Sequence, residues 1–413
     1  MNKTKPWPIS KRQVWEAYKR IRANKGAAGI DGQTITDFEE QLEDNLYKLW
    51  NRLASGSYYP QPVKRVDIPK ANGATRPLGI PTVADRIAQM VVKMHVEPEL
   101  ESHFHPDSYG YRPNKSALDA VGVTRKRCWQ NDWVLSLDIK GFFDHINHDL
   151  LMCALHKHTQ EKWVLLYIER WLKAPIAFRD GSLIHPKEGT PQGGVISPLL
   201  ANLYLHYTFD VWMKRNKPQV PFERYADDSV CHCQSEAEVT ALKDELNARF
   251  EACKLTLHPT KTQIIYCKDE DRTGNYSQTS FDFLGYTFRP RISKNRRGKY
   301  FVNFSPAMSD KAAKLIRSKV KQWKWNLRPG DSLEDLAREC NAKIRGWIVY
   351  YGRYYHSALV KVLQHIDYRL MLWANHKYKR LKGRPQKAKA WLNEVINRDP
   401  FLFSHWPQIH GNG

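Results

Sequence analysis

Apolar positions fall at helical spacing over long parts of this chain and at strand-like spacing only in short runs. Arg86 to Leu100 places Ile87, Met90, Val91, Met94 and Leu100 on one helix face. Leu199, Leu200, Leu203, Tyr204, Tyr207 and Val211 repeat that spacing, and Ser197 followed by Pro198 predicts a capped start with proline in the first turn. Beyond Ser309 the pattern predicts three helices, over 312–323, 333–351 and 359–379, split by 326–332. Residues 10–55 are charged and helix-compatible around a loop from Gly26 to Gly32. β-forming runs lie at 133–139, 221–224, 229–233 and 281–288. Pro60, Pro62, Pro69, Pro77 and Pro81 punctuate 56–82, which suits a hairpin with mobile basic tips. Tyr109 to Asn114 reads as a loop before a helix from near Ser116, and Arg289 to Lys299 as a basic hairpin or linker.

A length of 413 residues predicts two to three structural units. No run approaches the ~20 apolar residues of a membrane span, and the N-terminus lacks the apolar stretch of a secretory signal. Seven scattered cysteines fit reduced thiols in a cytosol. Cys231-His232-Cys233 resembles a metal-binding triplet, but strand alternation sends His232 away from both thiols, and buried thiols are the better reading. Charge is unevenly placed. Residues 289–413 hold 27 Lys and Arg against 8 Asp and Glu, a net of +19 out of +22. Such asymmetry marks a surface for polyanions. Six of the 14 tryptophans lie in the same stretch, most of them suited to a helical core and one or two to stacking on bases.

Tyr225-Ala226-Asp227-Asp228 sets two carboxylates at a turn between two strands. Adjacent carboxylates repel unless cations neutralise them, and hard divalent ions with oxygen ligands are their natural partners. By itself such a pair is usually a solvated turn. A third acid changes the reading, because the strand Trp133 to Ile139 carries Asp138 at its end and then breaks at Lys140-Gly141-Phe142-Phe143-Asp144. An acid at a strand end facing an acidic hairpin is the layout of a two-metal nucleotidyl transferase.

Leu137 to Asp144, Gly189 to Leu200 and Tyr225 to Asp228 follow the order and spacing of reverse transcriptases. The chain most closely resembles the group II intron-encoded reverse transcriptase/maturase family. The resemblance spans about residues 10–390. Asn24 to Gly32 is similar to that family's N-terminal extension, Asp67 to Lys70 with Thr75 to Pro81 to its fingers, Phe283 to Tyr286 to its primer grip and Ile344 to Tyr351 to its thumb. It implies an α+β right-hand polymerase: an N-terminal extension over 1–55, fingers over 56–132 with part of 150–190, a palm with an antiparallel sheet over 133–288, a helical thumb/maturase domain over 289–390 and a short tail over 391–413. No Cys follows Cys340, so the paired-cysteine endonuclease module of some relatives is not expected.

The same resemblance implies the site residues. Asp138, Asp227 and Asp228 are the expected catalytic acids, holding two Mg²⁺ ions (or Mn²⁺) with the Ile139 carbonyl. Lys70 and Arg76 are expected on the incoming triphosphate, Phe143 as the gate against a 2′-hydroxyl, Gln192 at the base and sugar pocket, and Lys261 beside the acids. The glycines beside Gln192 leave room for close approach to a ligand. Asp144 and Asp149 read instead as helix start and surface. Leu284 and Gly285 are the expected primer grip. On charge alone, Arg345, Arg353, Lys377, Lys379, Arg380, Lys382 and Arg384 are candidates for RNA.

The implied function is RNA-directed DNA polymerisation with assistance to splicing and mobility of a group II intron. Expected partners are intron RNA, an RNA template with DNA primer, target DNA and deoxynucleotides, for a monomer or homodimer in a bacterial-type cytosol or nucleoid. Two rivals stand beside it: a domesticated reverse transcriptase of DNA repair or host defence, and a non-catalytic RNA-binding splicing factor. The intact acids count against the second.

Overall fold

A computed structural model describes residues 5–24, 26–69, 75–295 and 297–411. The chain forms two compact units, Met1–Ala120 with Leu135–Gln263, and Val121–Val134 with Ile264–Gly413.

The first unit opens with helices α1 (Lys11–Ala23), α2 (Ile35–Glu40) and α3 (Leu42–Ser55). Ser10 and Gln13 form a reciprocal cap at the start of α1, and Gly56 ends α3 at φ 82°, a left-handed stop suited to glycine. Strands β1 (Val63–Pro69) and β2 (Thr75–Ile80) pair antiparallel, with Ile68 opposite Arg76. The long helix α4 (Val83–His103) buries Ile87, Val91, Val92 and Leu100, starting three residues before the sequence pattern does because Thr82 caps it. Helix α5 (Ala117–Gln130) and strand β3 (Trp133–Leu137), which cross the second unit's segment Val121–Val134, precede α6 (His148–His156) and α7 (Lys162–Leu172) of the first unit. Two short strands, β4 (Ile176–Ala177) and β5 (Leu183–Ile184), extend the first hairpin into a sheet of order β2-β1-β4-β5.

The helix predicted from Ser197 is present but interrupted. Helix α8 (Ser197–Leu205) passes into a wide π turn at His206–Asp210 before α9 (Val211–Asn216). Ser197 is the first helical residue rather than the cap; its hydroxyl instead accepts a hydrogen bond from Thr190 Oγ1 at 2.9 Å. Strands β6 (Phe222–Tyr225) and β7 (Asp228–Cys233) form an antiparallel hairpin with Tyr225 opposite Asp228, and β3 lies beside β7. Helix α10 (Glu236–Ala252) follows, capped by Ser235. Burial lifts the thiol pKa of Cys231 and moves that of Cys233 to about 12, so neither is a ready metal ligand. His232 is engaged by Glu223 at 2.7 Å, both side chains wholly buried.

The second unit includes β8 (Gln263–Tyr266), of which only the first residue belongs to the first unit, then β9 (Phe281–Phe283), β10 (Tyr286–Lys294) and β11 (Tyr300–Met308). The single strand expected over 281–288 is in fact two. Leu284 at φ 50° and Gly285 at φ 79° reverse the chain, so Tyr286 pairs with Phe283. Positive φ at two successive positions is the geometry of a tight hairpin turn. The basic run from Arg289 is the continuation of β10 against β11. Helices α11 (Asp310–Gln322), α12 (Leu333–Tyr351) and α13 (His356–Lys377) fall where the apolar spacing predicts them. Past them, α14 (Pro385–Arg398) and α15 (Trp406–His410) replace the expected tail. Trp391, Leu392, Phe403 and Trp406 join the core of α11, α12 and α13. Trp406 is fully buried, and its Nε1 and His405 Nε2 both meet Asp367 Oδ1, at 3.0 and 2.8 Å. Among the described residues, no helix is long and apolar enough to cross a membrane.

Candidate active site

A cavity of about 530 Å³ in the first unit gathers most of the residues expected to hold the metals and the nucleotide. Asp138, Ile139, Asp227, Arg76, Phe143, Gln192 and Lys261 all line it. Backbone pairing fixes Asp138 just past the end of β3. Its carbonyl accepts from His258 N at 2.7 Å, Ile139 bridges Leu257, and Lys140 N donates to Thr256 O at 2.9 Å. Lys261 Nζ lies 2.8 Å from Asp138 Oδ2. The lysine is 61% exposed, so this ion pair is screened and free to exchange partners.

Asp227 sits across the cavity at the β6–β7 turn. Ala226 adopts φ 56° there, and this reversal holds the turn to Ala226 and Asp227 between paired Tyr225 and Asp228. Burial raises the pKa of the Asp227 carboxyl, and the charge of Asp138 raises it further. Its own backbone N–H, Arg76 and Lys261 oppose that rise. A buried carboxyl whose ionisation is disfavoured by a second acid at the same cavity is a demand for positive charge. Hard oxygen donors of this kind fit a divalent cation. The fit is partial: Asp228 is exposed and does not line the cavity, and among the described residues no group of three acidic, histidine or cysteine side chains is disposed to hold a metal.

Phe142 and Phe143 both line the cavity, their rings 5.4 Å apart, but Phe142 is only 2% exposed whereas Phe143 is half-buried. The glycines after Gln192 line the cavity and are also packed tightly against the protein. A Cβ on Gly193 would come 2.5 Å from the Gly79 carbonyl oxygen, and one on Gly194 2.4 Å from Ser197 Oγ. Lys70 lies outside the described residues. Leu284 and Gly285 occupy the β9–β10 turn of the second unit, where Tyr350 Oη donates to the Leu284 carbonyl at 2.7 Å. Of the basic candidates there, Lys377 is committed to the Asp331 carbonyl and Arg345 reaches Ser404 at 3.3 Å. Arg353, Lys379, Arg380, Lys382 and Arg384 are exposed.

Several residues that the sequence reading passed over belong to the site. Asp144 lines the cavity and accepts from Gln192 Nε2 at 3.3 Å. Tyr111, at φ 58°, also lines it, and burial together with Asp227 raises its phenol pKa. Beneath the turn lies a buried polar network. Arg224 Nε and Nη2 donate to the two oxygens of Asp210 at 2.7 Å each, and Nη1 donates to Asn202 Oδ1 at 3.1 Å and to the Ala226 carbonyl at 3.2 Å. Asn202 Nδ2 donates to the Gly110 carbonyl at 2.7 Å, and a Cβ on Gly110 would come 2.4 Å from Ala226 N. The one sequence signal for this network was Arg224 itself, a cation in a short strand between the aromatic Phe222 and Tyr225, though it shares that strand with Glu223.

Asp138 and Asp227 share one cavity with Arg76, Lys261 and Phe143, an arrangement suited to nucleotidyl transfer on a right-hand polymerase fold. Two family models place the chain further: Reverse transcriptase (RNA-dependent DNA polymerase) matches residues 68–288, and Group II intron, maturase-specific domain matches residues 313–391. The chain belongs to the reverse transcriptase family and carries the maturase-specific domain of group II introns. It is 36% identical to Protein YkfC of Escherichia coli strain K12 over 66% of this chain and 78% of that one. It is 38% identical to Group II intron-encoded protein LtrA of Lactococcus lactis subsp. cremoris over 46% of this chain and 32% of that one, so the match spans about a third of that relative. Among solved structures, telomerase from Candida albicans in complex with a fragment of telomeric RNA aligns at a TM-score of 0.46. Identity is 13% over 84% of this chain and 65% of that one.

Proposed function

We propose that this chain extends a DNA primer on an RNA template and binds and assists the splicing of a group II intron RNA. The observation that carries the polymerase reading is the pairing of Asp138 and Asp227 across one cavity with Arg76, Lys261 and Phe143 on its walls. Asp138 and Asp227 would hold the divalent ions, Mg²⁺ with Mn²⁺ as a substitute, with Asp228 and the Ile139 carbonyl as further ligands. When bound, such ions make a primer hydroxyl more acidic and offset charge on the leaving pyrophosphate. The primer 3′-oxygen forms its bond to the α-phosphorus as the bond to the β-phosphate oxygen breaks. Arg76 suits bidentate contact with the triphosphate, and Lys261 supplies a point charge beside the acids. Gln192, held by Asp144, orients the sugar edge of the incoming deoxynucleotide. Phe143 leaves no room for a 2′-hydroxyl.

The basic second unit supports the intron-RNA reading, since RNA is gripped largely through shape and backbone charge. Primer extension on an RNA template with matched deoxy- and ribonucleotides tests the site directly. Wild type should use deoxynucleotides, and Phe143→Ala should raise ribonucleotide use by about 10-fold or more, the scale of ~1–3 kcal/mol for a change in pocket fit. An unchanged ratio would assign Phe143 to packing alone, and failure of wild type to extend would remove the polymerase reading.

A further inference from the structure

The second unit contains a cavity of about 410 Å³ that none of the expected site residues enters. It lies between β10, the start of α11 and the start of α13. Arg289, Arg291, Arg317 and Lys361 converge on it, with Asp310 as its one acid. Burial, and then the neighbouring charge of Arg289, lowers the Arg291 pKa to about 10. Arg291 is held in place rather than free to swing away. Its Nε donates to the Ser305 carbonyl and Nη2 to the Thr287 carbonyl, each at 3.2 Å, and its guanidinium lies 5.2 Å from the Tyr355 ring. Cations this close to one another, one of them partly desolvated, are unfavourable until an anion is shared among them.

The first turn of α13 opens on the same cavity through Ser357 and Ala358, and the residue that enters it, Tyr355, offers no side-chain cap. Ala358 N already donates to the Tyr355 carbonyl at 3.2 Å, so the helix start adds the positive end of its dipole rather than a full set of free amides. The volume lies at the lower end of the ~300–1,000 Å³ of small-ligand sites, enough for a phosphate with its sugar.

We propose that this cavity is a phosphate site that seats one backbone phosphate of a nucleic-acid strand, with Arg289, Arg317 and Lys361 as its exchangeable cations and Arg291 as its fixed one. The inference rests on the nucleic-acid-binding reading above and adds a defined contact to it. A strand is favoured over a free nucleotide because three of the four cations are exposed, so they can follow a backbone that runs on past the cavity.

The test is direct binding of the full chain to a fluorescent RNA 20-mer, and to the DNA of the same sequence, across a salt series. Arg289→Gln/Arg317→Gln/Lys361→Gln removes the exchangeable cations and spares Arg291. Lys319→Gln/Lys321→Gln/Lys324→Gln removes equal charge from exposed positions that do not line the cavity. The cavity variant should bind RNA about 10-fold more weakly at physiological salt, with a salt slope shallower by ~0.7 per lost phosphate contact. The control should lose less than about threefold. RNA and DNA should be affected alike if the phosphate is what is read, whereas a loss confined to RNA would mean that the sugar is read and overturn a phosphate site. Equal losses in the two variants would also overturn it, leaving diffuse charge. Loss of ATP binding with RNA affinity unchanged would overturn the strand as occupant. If wild type bound neither nucleic acid, the broader reading would fall with it, which separates the two failures.

Discussion

Asp227→Asn is expected to lower primer extension about 10⁴-fold, the scale of loss on removing one member of a catalytic set, and yet to raise the stability of the metal-free protein near neutral pH. The second half follows from the raised carboxyl pKa, caused by burial first and then by Asp138. For a carboxyl raised on folding, the stabilising contribution is complete below the unfolded value of ~3.9 and is lost as pH rises through the folded value. Near neutrality the wild type therefore holds an ionised Asp227 at a cost that the neutral amide avoids. Below ~4 the wild-type carboxyl is neutral as well, and the difference should vanish. Thermal midpoints of both proteins in chelator, across that pH range, check the sign. An asparagine variant less stable than wild type at neutral pH would mean that the carboxylate has a structural partner instead of a missing cation.

Arg224→Met should destabilise the protein by about 3–5 kcal/mol, because it leaves Asp210 buried without its partner. The Asp210 and Arg224 side chains are 0% and 1% exposed. Burial alone would raise the Asp210 pKa, but the charge and hydrogen bonds of Arg224 outweigh it and hold it below the ordinary value. The pair's contribution is therefore present above the unfolded carboxylate pKa and fades as pH falls through the depressed one. Pairing Arg224→Met with Asp210→Leu should recover most of the lost stability, and urea unfolding of the single and double variants measures the coupling. Extension should stay impaired in the double variant, since the Ala226 carbonyl and Asn202 still lack their donor. Full recovery of extension would show that the network holds the fold and not the turn.

The features legible in the sequence were those written in local pattern. Helices α4, α8 and α11 to α13 announce themselves by apolar spacing, and the β6–β7 turn by its acids between strands. Sequence missed what depends on backbone sign or on distant partners. Positive φ at Leu284 and Ala226 carries no side-chain signature, so a two-strand turn at 284–285 read as one strand. The π turn at His206–Asp210 preserves apolar spacing on either side and is invisible to it. Asp144 read as a helix start because its partner, Gln192, is 48 residues away. The glycines at 193 and 194 were legible as close approaches, but not as approaches to Gly79 and Ser197. Likewise the polar C-terminal stretch hid α15, whose core contribution rests on Trp406 and the Asp367 network.

Extension of a DNA primer on an RNA template, followed with wild type, Asp138→Asn and Asp227→Asn in parallel and with template binding measured on the same samples, tests the central claim most directly. The expected result is extension by wild type that requires a divalent cation, loss of extension in both variants, and template binding unchanged in all three. Extension by either variant at the wild-type rate, or by wild type in chelator, would contradict catalysis at the Asp138–Asp227 cavity.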